Sequence, residues 1–372
     1  MEYKFINLFR ALAAFWVVIA HCFIWSGWYG FILNPKIAVD LFMIISGYLM
    51  TANAFYKHST EPLNLNENKI KFWLRRFFRL APSYYFSLFL AVILSQYFLE
   101  GYHELQNISP EKWKNTIIYN PLRIDYSIEN VLLHLTFLFG LHPAWSFSTF
   151  LPDWSLSLEM QFYLIFPILF TFLGTKNLLK KSLLIGIGCF IMGVFIKKYF
   201  GYYEPSLIII KLNYFIVGIL SFYFINNKIE DKGKIIFLIV VFSLVSMDMS
   251  YGYQLILLPI ILLLFIYLGK NEKLSNEENN FFKILLESKF IKFTSDMSYA
   301  VYLFHGFFIS LFGLIISNIQ KYYILQLNER VFFMVVFVVT LSYLFAYVIF
   351  IFIEKPGINL GKIVIAKYTK KK

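Results

Sequence analysis

Arg10 and His21 stand inside one apolar run, residues 5–25, FINLFRALAAFWVVIAHCFIW. The run is long enough to cross a bilayer, which takes roughly 20 apolar residues. The two residues are eleven positions apart, close to three turns of helix, so both project from one face. At about 1.5 Å per residue they lie roughly 16 Å apart along the axis. Arg10 is then near the entry end, and His21 is carried deep into the membrane. Ionisable groups in lipid are costly and face a bundle interior or a wet cavity. Singly, each has a plain structural reading: Arg10 snorkels to the cytoplasmic interface, and His21 donates to a neighbouring carbonyl. As a pair on one face they point to chemistry, because imidazole suits general-base work near neutral pH.

Other stretches carry the same kind of signal. In LPDWSLSLEMQFYLIFP (151–167), Glu159 falls about one and a half turns inside the outer boundary, just after Asp153 and Trp154. Its depth matches that of His21, and a carboxylate beside an imidazole fixes the tautomer and raises basicity. The expectation is that Glu159 orients or charge-balances His21; the alternative is a protonated carboxyl capping a helix contact. In AVDLFMIISGYLM (38–50), Asp40 lies near the outer end and the Ser46-Gly47-Tyr48 step lies mid-membrane. Small residues there admit either a packed helix or a thin ligand. KIKFWLRRFFRLAPSYYF (69–86) sets Arg75, Arg76 and Arg79 within little more than a turn, with Arg75 and Arg79 on one face. Guanidinium forks suit phosphate, and they equally suit a positive-inside anchor on anionic headgroups. SDMSYAVYLFHGFF (295–308) places His305 a few turns from the cytoplasmic end, as a core histidine or as part of an acceptor site. The remaining histidines, His58, His103, His134 and His142, have no metal-ligand spacing. A G-x-S-x-G elbow, a P-loop and an H-x-x-x-D signature are all missing.

The elements that hold these residues follow from composition. The 372 residues are 59% hydrophobic and only 15% charged, against about 25% charged in soluble domains. The fold class is an all-α polytopic membrane protein, with lipid as its solvent. Ten spans are expected, near 5–26, 37–56, 77–99, 155–173, 182–200, 206–225, 235–250, 253–269, 298–318 and 331–353. With the N-terminus inside, 25 of the 34 Lys and Arg fall in inner segments, 8 in outer ones, and Lys211 within span six. That bias places both termini in the cytoplasm. Residues 1–372 form a single membrane domain with a long outer loop at 100–153, in which 131–141 is too short to span. The inner segment 270–297 holds an expected surface helix, FFKILLESKFIKF (281–293). The net charge of +12 lies in short loops, which excludes a nucleic-acid face. Cys22 and Cys189 sit in apolar runs, so neither a disulfide nor a metal cluster is expected. The first span has no small-residue cleavage site and is expected to be retained.

Together these stretches resemble the acyltransferase-3 family of integral-membrane O-acyltransferases. Arg10 and His21 match its R-x10-H signature. VDLFMIISGYL resembles its D-x-F-F-x-x-S-G-F segment, with Met43 and Tyr48 as departures. RRFFRLAPSYY resembles R-R-x-x-R-x-x-P, and WSLSLEMQFYLIFP resembles W-S-L-x-x-E-x-Q-F-Y-L-x-x-P. SYAVYLFHGFF and IEKPGINLGK resemble the late S-Y-x-x-Y-L-x-H and E-x-P segments. The resemblance covers essentially the whole chain. It implies transfer of an acyl group, commonly acetyl from acetyl-CoA, to a hydroxyl of an O-antigen, capsule, exopolysaccharide or other envelope glycan. It also implies a multi-pass protein of the bacterial cytoplasmic membrane that needs no metal. On that basis the catalytic group is His21, Glu159 and Arg10. Arg75, Arg76 and Arg79 hold the donor phosphates, and its pantetheine arm passes Ser46, Gly47 and Tyr48. Asp40, Asp153, Trp154 and His305 face the carbohydrate or lipid-linked acceptor. Some members carry a fused extracytoplasmic domain; none is expected here, so transfer finishes in the membrane domain or passes to a partner. Two competing readings use the same buried charges: a transporter or flippase for lipid-linked sugars, and a structural subunit of an envelope complex.

Overall fold

The computed structural model describes residues 3–28, 34–108, 110, 124–174, 176–202, 205–229, 237–238, 240–241, 244, 254–274, 281–319, 322 and 324–370. Every regular element among them is helical. Seven helices are long and apolar enough to cross a membrane, or eight if one bent pair is a single crossing. Gln254–Leu274 adds a further apolar helix of 21 residues. The chain is an all-α polytopic membrane protein. The expected seventh span, 235–250, lies mostly outside the described residues.

In chain order the helices are α1 Lys4–Trp25, α2 Pro35–Tyr56, α3 Asn66–Ile93, α4 Ser95–Asn107 and α5 Ile128–Leu135. There follow α6 Trp154–Leu173, α7 Leu178–Phe200, α8 Ile208–Ile225 and α9 Gln254–Leu274. The last are α10 Phe281–Glu287, α11 Lys289–Ser317, α12 Leu327–Ile349 and, after a π-helical turn Phe350–Glu354, α13 Lys355–Lys370.

Hydrophobicity does not decide which helix is central, because lipid is as apolar as any core. α8 and α7 have nearly equal hydropathy, yet 83% of the α8 window is buried against 17% for α7. What sets α8 apart is its polar and small residues. Lys211 Nζ meets Asp40 Oδ1 of α2 at 2.8 Å, and Asn213 donates to Leu244 O at 2.8 Å. A Cβ on Gly218 would lie 2.0 Å from Ile44 O, and one on Gly47 would lie 2.1 Å from Phe215 O. α2 and α8 are therefore in backbone contact at two crossings that admit glycine alone, as close helix pairs in membranes require.

Helix starts are set by local chemistry. Asn34 caps α2 by accepting from Lys36 N at 2.8 Å, with Pro35 in the first turn, where a missing N–H costs nothing. Ser288 accepts from Ile291 N and opens α11. That cap corrects the expected surface helix over 281–293: the segment divides at Ser288, and its second half is the first turn of a 29-residue spanning helix. The third expected span, 77–99, is also corrected. α3 already begins at Asn66, and the chain bends by 77° at Leu94 so that α4 crosses α11. The amphipathic run from Asn66 to Arg79 extends the helix beyond its apolar part. The last span, expected to end at 353, continues through the π turn into α13, which packs on α3 at Phe78 and Pro82.

Candidate functional site

α1, α2, α3, α6 and α11 surround a cavity of about 360 Å³. α1 contributes Asn7 and Arg10, α2 Phe42, Ser46 and Asn53, and α3 Arg76 and Arg79. α6 contributes Ser155, Glu159 and Tyr163, and α11 Asp296, Ser298, Tyr299 and Tyr302. Tyr3, Asn53 and Lys292 line it as well, near the helix ends that adjoin the basic loops. Three guanidinium groups and the Glu159 carboxylate thus share one cavity, as the cost of isolated charge in lipid demands.

The contacts fix each group. Arg10 Nη2 donates to Ser298 Oγ at 3.0 Å. The Arg76 guanidinium lies 5.6 Å from the Phe72 ring centre and 5.8 Å from that of Tyr163, within cation–π range. Ser46 Oγ donates to Glu159 Oε1 at 2.8 Å, and the Tyr163 hydroxyl donates to the same oxygen. At the far end, the Tyr302 hydroxyl contacts Ser155 Oγ at 2.8 Å and donates to Pro152 O. Glu354, buried on the π turn, lies within electrostatic reach of Arg79, Arg10 and Asp296.

Above that end lie two imidazoles. His305 is one helical turn past Tyr302, and its Nε2 is 3.2 Å from His21 Nδ1. His21 is half-buried and is not among the residues that line the cavity. Arg10 and His21 nonetheless share a face as their spacing requires, since both contact α11, at Ser298 and His305 respectively.

The other sequence-selected residues divide. Arg75 is turned away from the cavity into a two-pronged pair with Glu61, at 2.8 and 3.3 Å. Partial burial alone would raise the Glu61 carboxyl, but the Arg75 hydrogen bonds and charge hold it below the usual carboxylate range. The arginines that share the cavity face are therefore Arg76 and Arg79, three apart, in place of the expected Arg75 and Arg79. Gly47 is filled by the Phe215 backbone. Tyr48 is fully buried in an aromatic cluster with Tyr3, Phe5, Phe222 and Phe265. Of that step only Ser46 reaches the cavity. Asp40 is closed in its pair with Lys211. Asp153 is buried, accepting from Tyr84 at 3.0 Å and Thr149 at 3.2 Å, with His134 Nε2 3.6 Å away. Trp154 is buried beside it. The expected Glu159–His21 pairing is replaced: the carboxylate meets hydroxyls, and the imidazole meets His305.

Sequence reasoning passed over Tyr163, Ser298, Tyr299 and Tyr302. A signal existed for three of the four: Tyr163 is one turn past Glu159, and Ser298 and Tyr302 recur with His305 at helical spacing along α11. Among the described residues, no group of three or more His, Cys, Asp and Glu could hold a metal ion.

The chain is thus a polytopic helical bundle with a basic cavity sunk beneath a pair of imidazoles, the architecture of an integral-membrane protein. The chain belongs to the acyltransferase-3 family, whose description, acyltransferase domain, matches residues 3–349. It is 34% identical over 192 residues to the peptidoglycan O-acetyltransferase OatA of Listeria monocytogenes, covering 48% of this chain and 26% of that protein. It is 29% identical over 173 residues to the O-acetyltransferase OatA of Staphylococcus aureus, covering 44% of this chain and 24% of that protein. The matched stretches thus span about a quarter of these relatives' length. No solved structure matches the chain.

Proposed function

We propose that this protein transfers an acyl group, acetyl in the first instance, from acyl-CoA to a hydroxyl of a cell-surface carbohydrate. The reading places it in the bacterial cytoplasmic membrane, with the donor entering from the basic end. The observation that carries it is the meeting of Arg10, Arg76 and Arg79 in one cavity that ends beneath the His305–His21 pair.

The donor phosphates dock on Arg76, Arg79 and Arg10, where charge-assisted hydrogen bonds are strongest. The pantetheine arm runs past Ser46 and Phe42 towards Tyr302. Turning aside the Tyr302 hydroxyl opens the last step to His21. His21 Nε2 takes the acceptor proton as that oxygen attacks the thioester carbonyl, or carries the acyl group briefly itself. The C–S bond breaks and the thiolate leaves with the electron pair, to be protonated in turn. Glu159 acts in this scheme on the arginines and not on the imidazole. The acceptor comes from the outer side in this reading; the name of the Listeria relative, a peptidoglycan O-acetyltransferase, supports an envelope glycan as its class.

The test uses protein in liposomes with labelled acetyl-CoA and envelope glycan. CoA released only with glycan present, and lost in His21→Ala with donor binding intact, supports the reading. Glycan movement without CoA release would show a transporter instead.

A further inference from the structure

The proton positions on the two facing imidazoles follow from what each nitrogen touches. His305 Nδ1 lies 2.8 Å from Tyr302 O and 3.3 Å from Val301 O. Carbonyl oxygens only accept, so this nitrogen carries a hydrogen and Nε2 keeps its lone pair. His21 Nδ1 lies 2.9 Å from Val17 O and 3.2 Å from His305 Nε2. Both of these accept, so His21 Nδ1 carries a hydrogen as well. A single tautomer of each neutral ring satisfies every contact. Among the described residues no hydrogen bond occupies His21 Nε2, which is the nitrogen a general base needs free. The ring centres are 5.0 Å apart with planes tilted by 37°, so the contact runs nitrogen to nitrogen and not face to face.

We propose that His305 is the positioning residue of His21: it aims the His21 Nε2 lone pair and accepts the Nδ1 hydrogen when that ring becomes cationic. This rests on His21 acting as the general base described above. Val17 O can share the Nδ1 hydrogen but cannot take up a proton, whereas the His305 Nε2 lone pair can. When acceptor O–H gives its proton to His21 Nε2, the new C–O bond forms and the thioester C–S bond breaks. The His21 imidazolium then shares its Nδ1 proton with His305 Nε2, spreading one positive charge over a half-buried and a buried ring. His21 Nε2 returns a proton to the thiolate, and both rings are neutral again. In a low-dielectric interior a charge shared in this way is far less costly than a localised one. The orienting partner of a catalytic imidazole is a carboxylate in the serine-protease triad; here a second imidazole takes that place.

The test compares His305→Leu with His305→Gln, whose side-chain carbonyl still accepts from His21 Nδ1. The readouts are alkali-released acetate from the envelope glycans of producing cells, acetyl-CoA affinity of the purified protein, and 15N spectra of histidine-labelled parent protein. His305→Leu is expected to lower acetate roughly 10- to 100-fold, a part of what general-base catalysis supplies, with donor affinity unchanged. His305→Gln, which still accepts from His21 Nδ1 but cannot take up its proton, falls between His305→Leu and the parent. It restores the aiming and not the charge sharing, and a Gln variant no better than Leu overturns the aiming half of the role. In the parent, His21 shows a protonated Nδ1 and an unprotonated Nε2, with Nδ1 coupled to His305 Nε2 across the hydrogen bond. Full acetylation by His305→Leu, while His21→Ala is inactive, overturns the positioning role and leaves the base standing. The opposite tautomer in the parent also overturns it. An active His21→Ala brings down the base itself.

Discussion

Ser46 of α2 donates to Glu159 of α6 at 2.8 Å across the cavity, and Tyr163 adds a second hydroxyl to the same carboxylate oxygen. Glu159 is therefore held by two donors and lies near the charge of Arg76. An intramembrane carboxylate survives burial only when its lone pairs are met. This one ties two helices together at the wall of the cavity.

That shared oxygen makes a prediction by double-mutant cycle. Ser46→Ala and Tyr163→Phe each remove one hydrogen bond to a charged group and should each lower stability by about 1.5–3 kcal/mol. The double variant strips both donors from one oxygen, so its loss should exceed the sum by at least about 0.5 kcal/mol. Thermal unfolding in detergent reads all three. Strict additivity would mean that the two hydroxyls serve Glu159 independently.

The arginines should separate by face. Arg76→Ala and Arg79→Ala each remove a charged donor from the cavity and should weaken acetyl-CoA binding by roughly 10- to 100-fold. Arg75→Ala should leave it nearly unchanged, because that guanidinium is held by Glu61. Equal losses at all three positions, by titration calorimetry, would contradict the separation.

The same pair has a pH signature. Glu61 is depressed below 4.5 in the folded protein, so its contribution is present above the unfolded value and is lost as pH falls through the folded one. The stability gap between parent and Arg75→Ala should hold at neutral pH and close in acid, below about pH 4. The gap will be small because the pair is partly exposed. A gap that widened in acid would reverse the sign and discard the account.

Much of this was legible in the sequence because lipid makes buried charge conspicuous. Arg10, His21 and Glu159 announced themselves as ionisable groups in apolar runs, and helical spacing put Arg10 and His21 on the face that meets α11. Choosing between partners was beyond periodicity. Glu159 and His21 share a depth but lie on helices whose rotation is set elsewhere, partly by the Gly47–Phe215 and Gly218–Ile44 contacts. Those contacts turn Gly47 and Tyr48 towards α8 and leave Ser46 facing Glu159. The arginine triplet shows the same limit: spacing grouped Arg75 with Arg79, but Glu61, in the loop before α3, captures Arg75. The break at Leu94 has no proline or glycine at it. Its cause is the packing of α4 across α11, a tertiary fact.

Asp40 and Lys211 offer a fourth test. Both are buried, at 2.8 Å. Removing one partner of a buried pair costs about 3–5 kcal/mol, while replacing both with apolar residues is close to neutral. Asp40→Asn should therefore be strongly destabilised in detergent, and Asp40→Leu with Lys211→Met should recover most of the loss. A stable Asp40→Asn that nonetheless fails to acetylate would return Asp40 to the acceptor site.

Tyr302 closes the cavity beneath His305 through its hydroxyl contacts with Ser155 and Pro152. A residue that closes a reacting site keeps water from the thioester until the acceptor is in place. Tyr302→Phe keeps the ring against Phe42, whose centroid lies 6.3 Å away, but removes the hydroxyl that pins it. Donor affinity should be unchanged, since the proposed phosphate contacts are the arginines at the other end. Acceptor-independent CoA release should rise by roughly 3- to 10-fold, the range expected for loss of one or two neutral hydrogen bonds on a gate. The measurement is a thiol-reactive dye on proteoliposomes given acetyl-CoA and no glycan. If leakage stays at the parental rate while transfer to glycan is also normal, Tyr302 is a packing residue and the cavity is closed by something else.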